Sequence, residues 1–218
     1  AQLEALGSDQ IGALGTAQVA ALTTGQIAGL VSDDLNALTT SQIRALLTSQ
    51  IAALTTSQLS TLETADVAAL TTAQIAALNS AQLGALSTDG IVALETDDVA
   101  ALKTSAIAGM STKQAAALTT KQVAVMETAD LAALTTAQLS SMTTAQVLAL
   151  TTTQLAAMST VQITGFTAAQ LAKMTSTQLN GLDPEDFGSM AGSQLAALGT
   201  AQYLASQGKV VRTLAWPG

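Results

Sequence analysis

One eight-residue phrase, Leu-Thr-Thr-Ala-Gln-Ile-Ala-Ala as written at Leu70–Ala77, runs through the chain without a slip. From Leu6 to Leu198 every eighth residue is Leu, Met or Phe, at twenty-five consecutive positions with no insertion. A unit this small cannot bury its own apolar face. It must stack on its neighbours, so the core runs along the stack and each unit repeats the same surface. Such a chain has few opportunities to build one unique pocket.

With the octad lettered a to h and Leu6 at a, each column has its own chemistry. Column f (Ile11, Val19, Ile27 and onward) is apolar throughout, and column h is mostly Ala or Gly. Column c is Ser or Thr in twenty-two of twenty-five octads, and column e is Gln in eighteen and Asp in five. Columns b, d and g vary most, as exposed positions do. Columns f and a lie three apart. A flat strand would point them to opposite faces, whereas a helix sets them on one. Column g, which admits Asn36, Arg44 and Asn180, then points away.

One uninterrupted helix fails, because eight residues at about 100° each drift about 80° per octad and the apolar stripe would wind around the axis. The helix must stop and restart in every octad. Thr-x-x-Gln from b to e supplies the restart as a capping box. Column b is Ser, Thr, Asn, Asp or Gly in eighteen octads, all good caps. Asp183-Pro184 fits this register, with Asp183 as the cap and Pro184 at the first helical position. A rival register makes c the cap; the near-constant Thr there has no explanation in the first. Column e reads as a structural amide that satisfies backbone groups freed at each bend.

The expected fold is therefore an all-α solenoid, a superhelix of very short capped helices, one per octad. The alternative is a β-solenoid with Thr and Gln ladders. The repeat domain is placed at residues 1–205. Residues 206–218 form an irregular C-terminal cap or the start of another segment, because Ser206 breaks column a. The first residues are already the back half of an octad, which reads as a segment of a longer repeat protein. Two longer periods overlie the octad. Met110, Met126, Met142, Met158, Met174 and Met190 alternate in column a with Leu or Phe, and Asp34, Asp66, Asp98 and Asp130 recur in column e. A superhelical turn of two octads would give the Met residues their own wall. A turn of four would stack like charges. The expectation is two octads per turn.

Composition narrows the chemistry. The net charge of −8 argues against nucleic acid and against an anionic membrane surface. No apolar run approaches a membrane span, since Thr and Gln interrupt every octad, so no membrane insertion is expected. There is no His and no Cys, which removes the commonest general base, the thiolate and the commonest metal ligands. Ser and Thr abound only at repeat positions. No catalytic, cofactor-binding or metal residue is assigned, and the chain is not expected to be an enzyme. The acid pairs Glu63/Asp66, Glu95/Asp98 and Glu127/Asp130 offer clustered oxygen for Ca²⁺, but two carboxylates are few for a hard cation. They read first as cap variants favoured by the helix dipole.

The phrase Thr72-Ala73-Gln74-Ile75-Ala76-Ala77-Leu78-Asn79 resembles the octapeptide-repeat regions of very large bacterial secreted or surface proteins, adhesion or haem-utilisation exoproteins among them. The resemblance implies an extracellular or cell-surface structural role: a stalk, spacer, or filament or adhesin segment. It does not extend to a haem site, for which no His is present. Partners would be further repeats of the same parent chain, or copies associating end to end. The competing function is a binding module that presents its repeated face to glycan, mineral, ice or Ca²⁺.

If a and f form the core and g the outside, Leu78→Asp buries an unpaired carboxylate and lowers stability by about 3 kcal/mol or more. Ala76→Asp should be mild. Thermal unfolding compares the two, and equal melting temperatures would show the faces to be misassigned.

Overall fold

The computed structural model describes residues 7–199 and 202. Among these residues the chain forms twenty-four helices of four to six residues, from α1 (Ser8–Gly12) to α24 (Gly192–Ala196), and no strand. The all-α solenoid reading stands and the β-solenoid does not. Each helix begins at column c, with an extended column-b residue as its N-cap. At α5 (Thr40–Ala45) Thr39 has φ −69° and ψ 156°, and its Oγ1 accepts from Gln42 N at 3.3 Å. Gln42 Oε1 accepts in return from Thr39 N at 2.6 Å. The register that made c the cap is thereby overturned. α23 (Pro184–Ser189) starts on Pro184 behind Asp183, as its sequence predicts.

The helices stop without a left-handed residue; among the described residues no φ is positive. Column a ends them instead. Leu46 turns extended (φ −59°, ψ 140°), and its N–H reaches only the Ile43 carbonyl, at 3.2 Å. The reason is burial. An extended backbone at a carries its side chain into the core beside column f, and that gain outweighs another helical residue in a helix too short to be stable alone. Column f is sealed at all described positions but Leu195: Ile43, Ile51 and Ile75, for example, are at most 1% exposed. Leu78 in column a is at 0%. Ala76 in column g is half-buried, less open than the sequence implied.

The chain divides into two compact units, Ala1–Met110 and Ser111–Gly218. In the first, helices pack on the third helix along: α2 (Thr16–Ala20) on α5, and α5 on α8 (Thr64–Ala69). In the second, α14 (Thr112–Ala117) packs on α17 (Thr136–Ser141), and α17 on α20 (Thr160–Ile163), by the same rule. The column-e glutamines bridge slightly further. Gln74 Nε2 donates to Ile43 O at 2.9 Å and Leu46 O at 2.7 Å, residues 31 and 28 positions back. In the second unit Gln154 Nε2 reaches Val123 O at 3.0 Å and Met126 O at 2.8 Å, again 31 and 28 back. A turn therefore closes between three and four octads, not two. The Met alternation misled: Met142 and Met158 are 4% and 7% exposed, Leu134 and Leu150 both 3%, so the two sets occupy equivalent core sites. Nothing in the structure explains the 16-residue alternation.

Column c has a packing role. A Cβ on Gly109, in column h, would collide with Ser80 O, and one on Gly165 would sit 2.8 Å from Thr136 Cβ. The c position of one octad thus meets the h position three octads later, and column h is mostly small, which lets the two helices approach. The boundary expected between residues 205 and 206 lies outside the described residues.

Gln74 makes both kinds of bond: its Oε1 accepts from Thr71 N at 2.7 Å while its Nε2 crosses to the coil before. Gln18 makes only the first kind of bond, to Gly15 N at 2.7 Å. Gln74→Ala should cost about 2–4 kcal/mol and Gln18→Ala about 1 kcal/mol or less, read from urea unfolding midpoints. Equal losses would mean that the crossing bonds contribute nothing.

Candidate functional site

What the fold presents to solvent is set by the columns. Described residues of column d are exposed throughout, those of column b nearly so, and those of column g mostly. Between coils the c, d and g residues of one octad face the g and h residues of the octad three on. Thr136, Ala137, Ser140, Thr164 and Gly165 line one such groove, an open space of about 390 Å³. Thr128, Thr152, Thr153, Ala156, Ala157 and Gly181 line another, of about 560 Å³. The linings are small and neutral, and they recur because the octad recurs. The Thr residues of successive b columns are distributed around a turn of three to four octads, so they do not gather on one flat face.

Two grooves carry charge. Arg44, in column g, lies with Thr40, Ser41 and Ala69 in one, and with Thr72, Glu95 and Asp98 in the next. Its Nε donates to Ala69 O at 3.3 Å. Asn36, one octad before it in the same column, donates through Nδ2 to Thr61 O at 2.9 Å. A long polar side chain at g thus reaches a column-h carbonyl 25 residues on. This is a link between coils that the sequence did not announce.

The acid pairs are divided by the fold. Asp66, Asp98 and Asp130 are 4%, 5% and 2% exposed, while Glu63, Glu95 and Glu127 are exposed. Column e points inward and column b outward, so the two carboxylates of a pair do not converge. Among the described residues no three acidic, His or Cys side chains cluster as metal ligands. The Glu residues are caps through their backbone alone: Glu95 N donates to Asp98 Oδ2 at 3.1 Å, and Glu127 N to Asp130 Oδ2 at 3.3 Å.

An aspartate in column e cannot donate across to the previous coil as Gln does. Asp34 and Asp98 accept a hydroxyl instead. Ser8 Oγ donates to Asp34 Oδ1 at 2.8 Å and Thr72 Oγ1 to Asp98 Oδ1 at 2.9 Å, both from column c 26 residues upstream. Asp66 is different. The equivalent residue, Thr40, makes no such bond, and the Asp66 carboxylate has no hydrogen-bond donor among the described residues. Burial, with Glu63 adding repulsion, raises its pKa from 3.8 to about 6.

The ALTTAQ repeat family matches the chain in five tandem stretches, residues 1–32, 27–62, 59–94, 91–126 and 123–160. The last four begin 32 residues apart, the period at which the column-e aspartates recur. Beyond residue 160 the octad continues in sequence and structure through Leu198. No curated protein matches the chain. Among the described residues no helix is long and apolar enough to cross a membrane.

A raised carboxylate pKa means that the folded state holds its proton more tightly than the unfolded chain does. That stability is fully present below about pH 4 and is lost as the pH rises through about 6. Asp66→Gln removes the buried charge and restores the donors that its register aims at Leu35 and Leu38. The variant should gain about 2 kcal/mol near neutral pH, and less at about pH 4, where Asp66 is protonated. Melting temperatures of both proteins across this range check it; a gap that does not widen with pH would refute the assignment.

Proposed function

We propose that this chain, which belongs to the ALTTAQ repeat family, is a non-catalytic structural segment. It acts as a stalk or spacer on the outside of the cell, in a secreted or surface adhesin-like protein. The single observation that carries the reading is the sameness of the joints. In each unit one coil is fastened to the next by the same amide in the same column, as at Gln58 with Ile27 and Leu30 and at Gln170 with Leu139 and Met142. A scaffold of this kind is lengthened or shortened by whole octads without redesign. Among the described residues its outward columns repeat small, mostly neutral side chains, which suits separation.

The resemblance to exoprotein repeats supports the extracellular placement, as does a coat of Thr, Ser and Ala with little charge. Removal of residues 71–102, four whole octads, should leave the mean helical ellipticity unchanged and shift the melting temperature by no more than about 3 °C. Mild proteolysis of intact source cells should release peptides of the chain. Loss of cooperative unfolding on removing whole octads would defeat the spacer, and a chain protected inside intact cells would defeat the surface location.

A further inference from the structure

One octad in the middle of the first unit has the frame of a ladder rung without its amide. Column e there is Gly90. The local backbone is unaltered. Ser87 caps α11 (Thr88–Ala93) with φ −64° and ψ 160°, its Oγ accepts from Gly90 N at 3.0 Å, and its carbonyl accepts from Ile91 N at 3.0 Å. One octad earlier, Gln82 shows what the missing amide would join. It accepts from Asn79 N at 3.1 Å and donates to Ile51 O at 3.1 Å and Leu54 O at 2.9 Å. Moved on by one octad, those partners become Ser87 N, Leu59 O and Leu62 O. Among the described residues Ser87 N–H donates to nothing and Leu62 O accepts nothing. Leu59 O accepts only from Leu62 N, at a long 3.4 Å. Gly90 is buried, and Leu59 and Leu62 are 1% and 5% exposed. Unbonded groups in such a place favour whatever supplies their partners.

There is room at Gly90. A Cβ built on it would lie 3.3 Å from Ser87 Oγ, 3.5 Å from Val67 Cγ2 and 3.8 Å from Leu86 Cβ, whereas at Gly165 a Cβ would meet that of Thr136 at 2.8 Å. The three partners then dictate the ligand. It needs one carbonyl oxygen for Ser87 N–H and one NH₂ for the two leucine carbonyls, which makes it a neutral primary amide. With oxygen and nitrogen fixed, the third substituent on the amide carbon points back at the Gly90 Cα. A bonded glutamine holds its Cγ about 2.5 Å from Cα, but a free molecule must keep its carbons about 3.5 Å away. Only hydrogen fits in that direction.

We infer that Ser87 N–H, Leu59 O and Leu62 O around Gly90 form a binding site for formamide, the primary amide with hydrogen as its third substituent. The molecule takes the place that a glutamine amide holds in the neighbouring rungs. Ala106, also in column e, offers no second site. It has a Cβ, and it is 0% exposed. An amide carbon lies about 2.5 Å from a Cβ only when it shares a bonded chain with it.

The test uses the full chain labelled with ¹⁵N-serine, and follows the Ser87 amide resonance as formamide is added. Three non-hydrogen atoms hold the affinity to the millimolar range, so the resonance should move downfield and saturate with a midpoint of about 10 mM. Acetamide, whose methyl group meets the Gly90 Cα, should need at least about tenfold more. Gly90→Ala leaves every hydrogen-bonding group in place and favours the helix, yet its methyl group should abolish the saturable shift. In Gly90→Gln the tethered amide should hold Ser87 N–H from the outset, so the resonance should start downfield and stay there. A Ser87 resonance that does not saturate in the unmodified chain by about 200 mM would overturn the inference. So would equal titration of Gly90→Ala, or acetamide binding as well as formamide.

Discussion

A glutamine side chain that serves two helices at once is what permits helices this short to exist. An α-helix leaves its first four N–H groups and last four C=O groups unbonded. In a helix of four to six residues nearly every backbone group is such an end. Gln74 answers both problems with one amide. Its oxygen accepts from Thr71 N at the start of its own helix, and its nitrogen donates to Ile43 and Leu46 where an earlier helix gives way to the bend. Neighbouring residue types fail at one half of this. Glu has no donor, Ala offers neither half, and Asp keeps the acceptor while losing the donor and the reach.

The exceptions in column e show how firmly the rest depends on it. Asp98 keeps the acceptor half, taking the Glu95 N–H, while Asp34 lacks it; both recover a bond by accepting a hydroxyl, from Thr72 and Ser8 in column c. Gly90 keeps only the reciprocal cap, with Ser87 Oγ accepting its N–H at 3.0 Å. Asp66 has the burial of a ladder residue with neither donor nor hydroxyl, and its carboxyl is the one pushed up to about 6. These sites weaken single rungs; each unit holds because the coils on both sides keep theirs.

Much of this was legible in the sequence because it is local. The capping box lies within four residues, the f-to-a spacing within three, and Pro184 marks the helix start by its missing N–H. The inward turn of Leu78 and the cap at Thr71 follow from one octad alone. The number of octads per turn is not local. It is decided by which coil Gln50 meets, and in a chain where every octad offers the same carbonyls the sequence contains many equivalent answers. The Met alternation looked like a selector, yet Met142 and Leu150 are buried alike. The c-to-h contact was illegible for the same reason: Thr136 and Gly165 declare their meeting only once the turn is known.

The same division of labour says where such a chain is free to change. Columns a, e and f are constrained by core and ladder, column h by the close approach to c. Columns b, d and g meet mostly water. Described cations accordingly fall at Arg44 in g, Lys103 in b, and Lys113 and Lys121 in d, with Lys173 the exception in h, and all five are exposed. Larger apolar residues are also tolerated there, as at Val161 in d and Val31 in b, 69% and 62% exposed. Substitution on these columns alters what the surface offers without touching a rung. Loss of an amide in column e acts on two coils at once. A lineage of such repeats can therefore diversify its coat and its length while the glutamine remains, because the glutamine answers to the backbone and the backbone is the same in every octad.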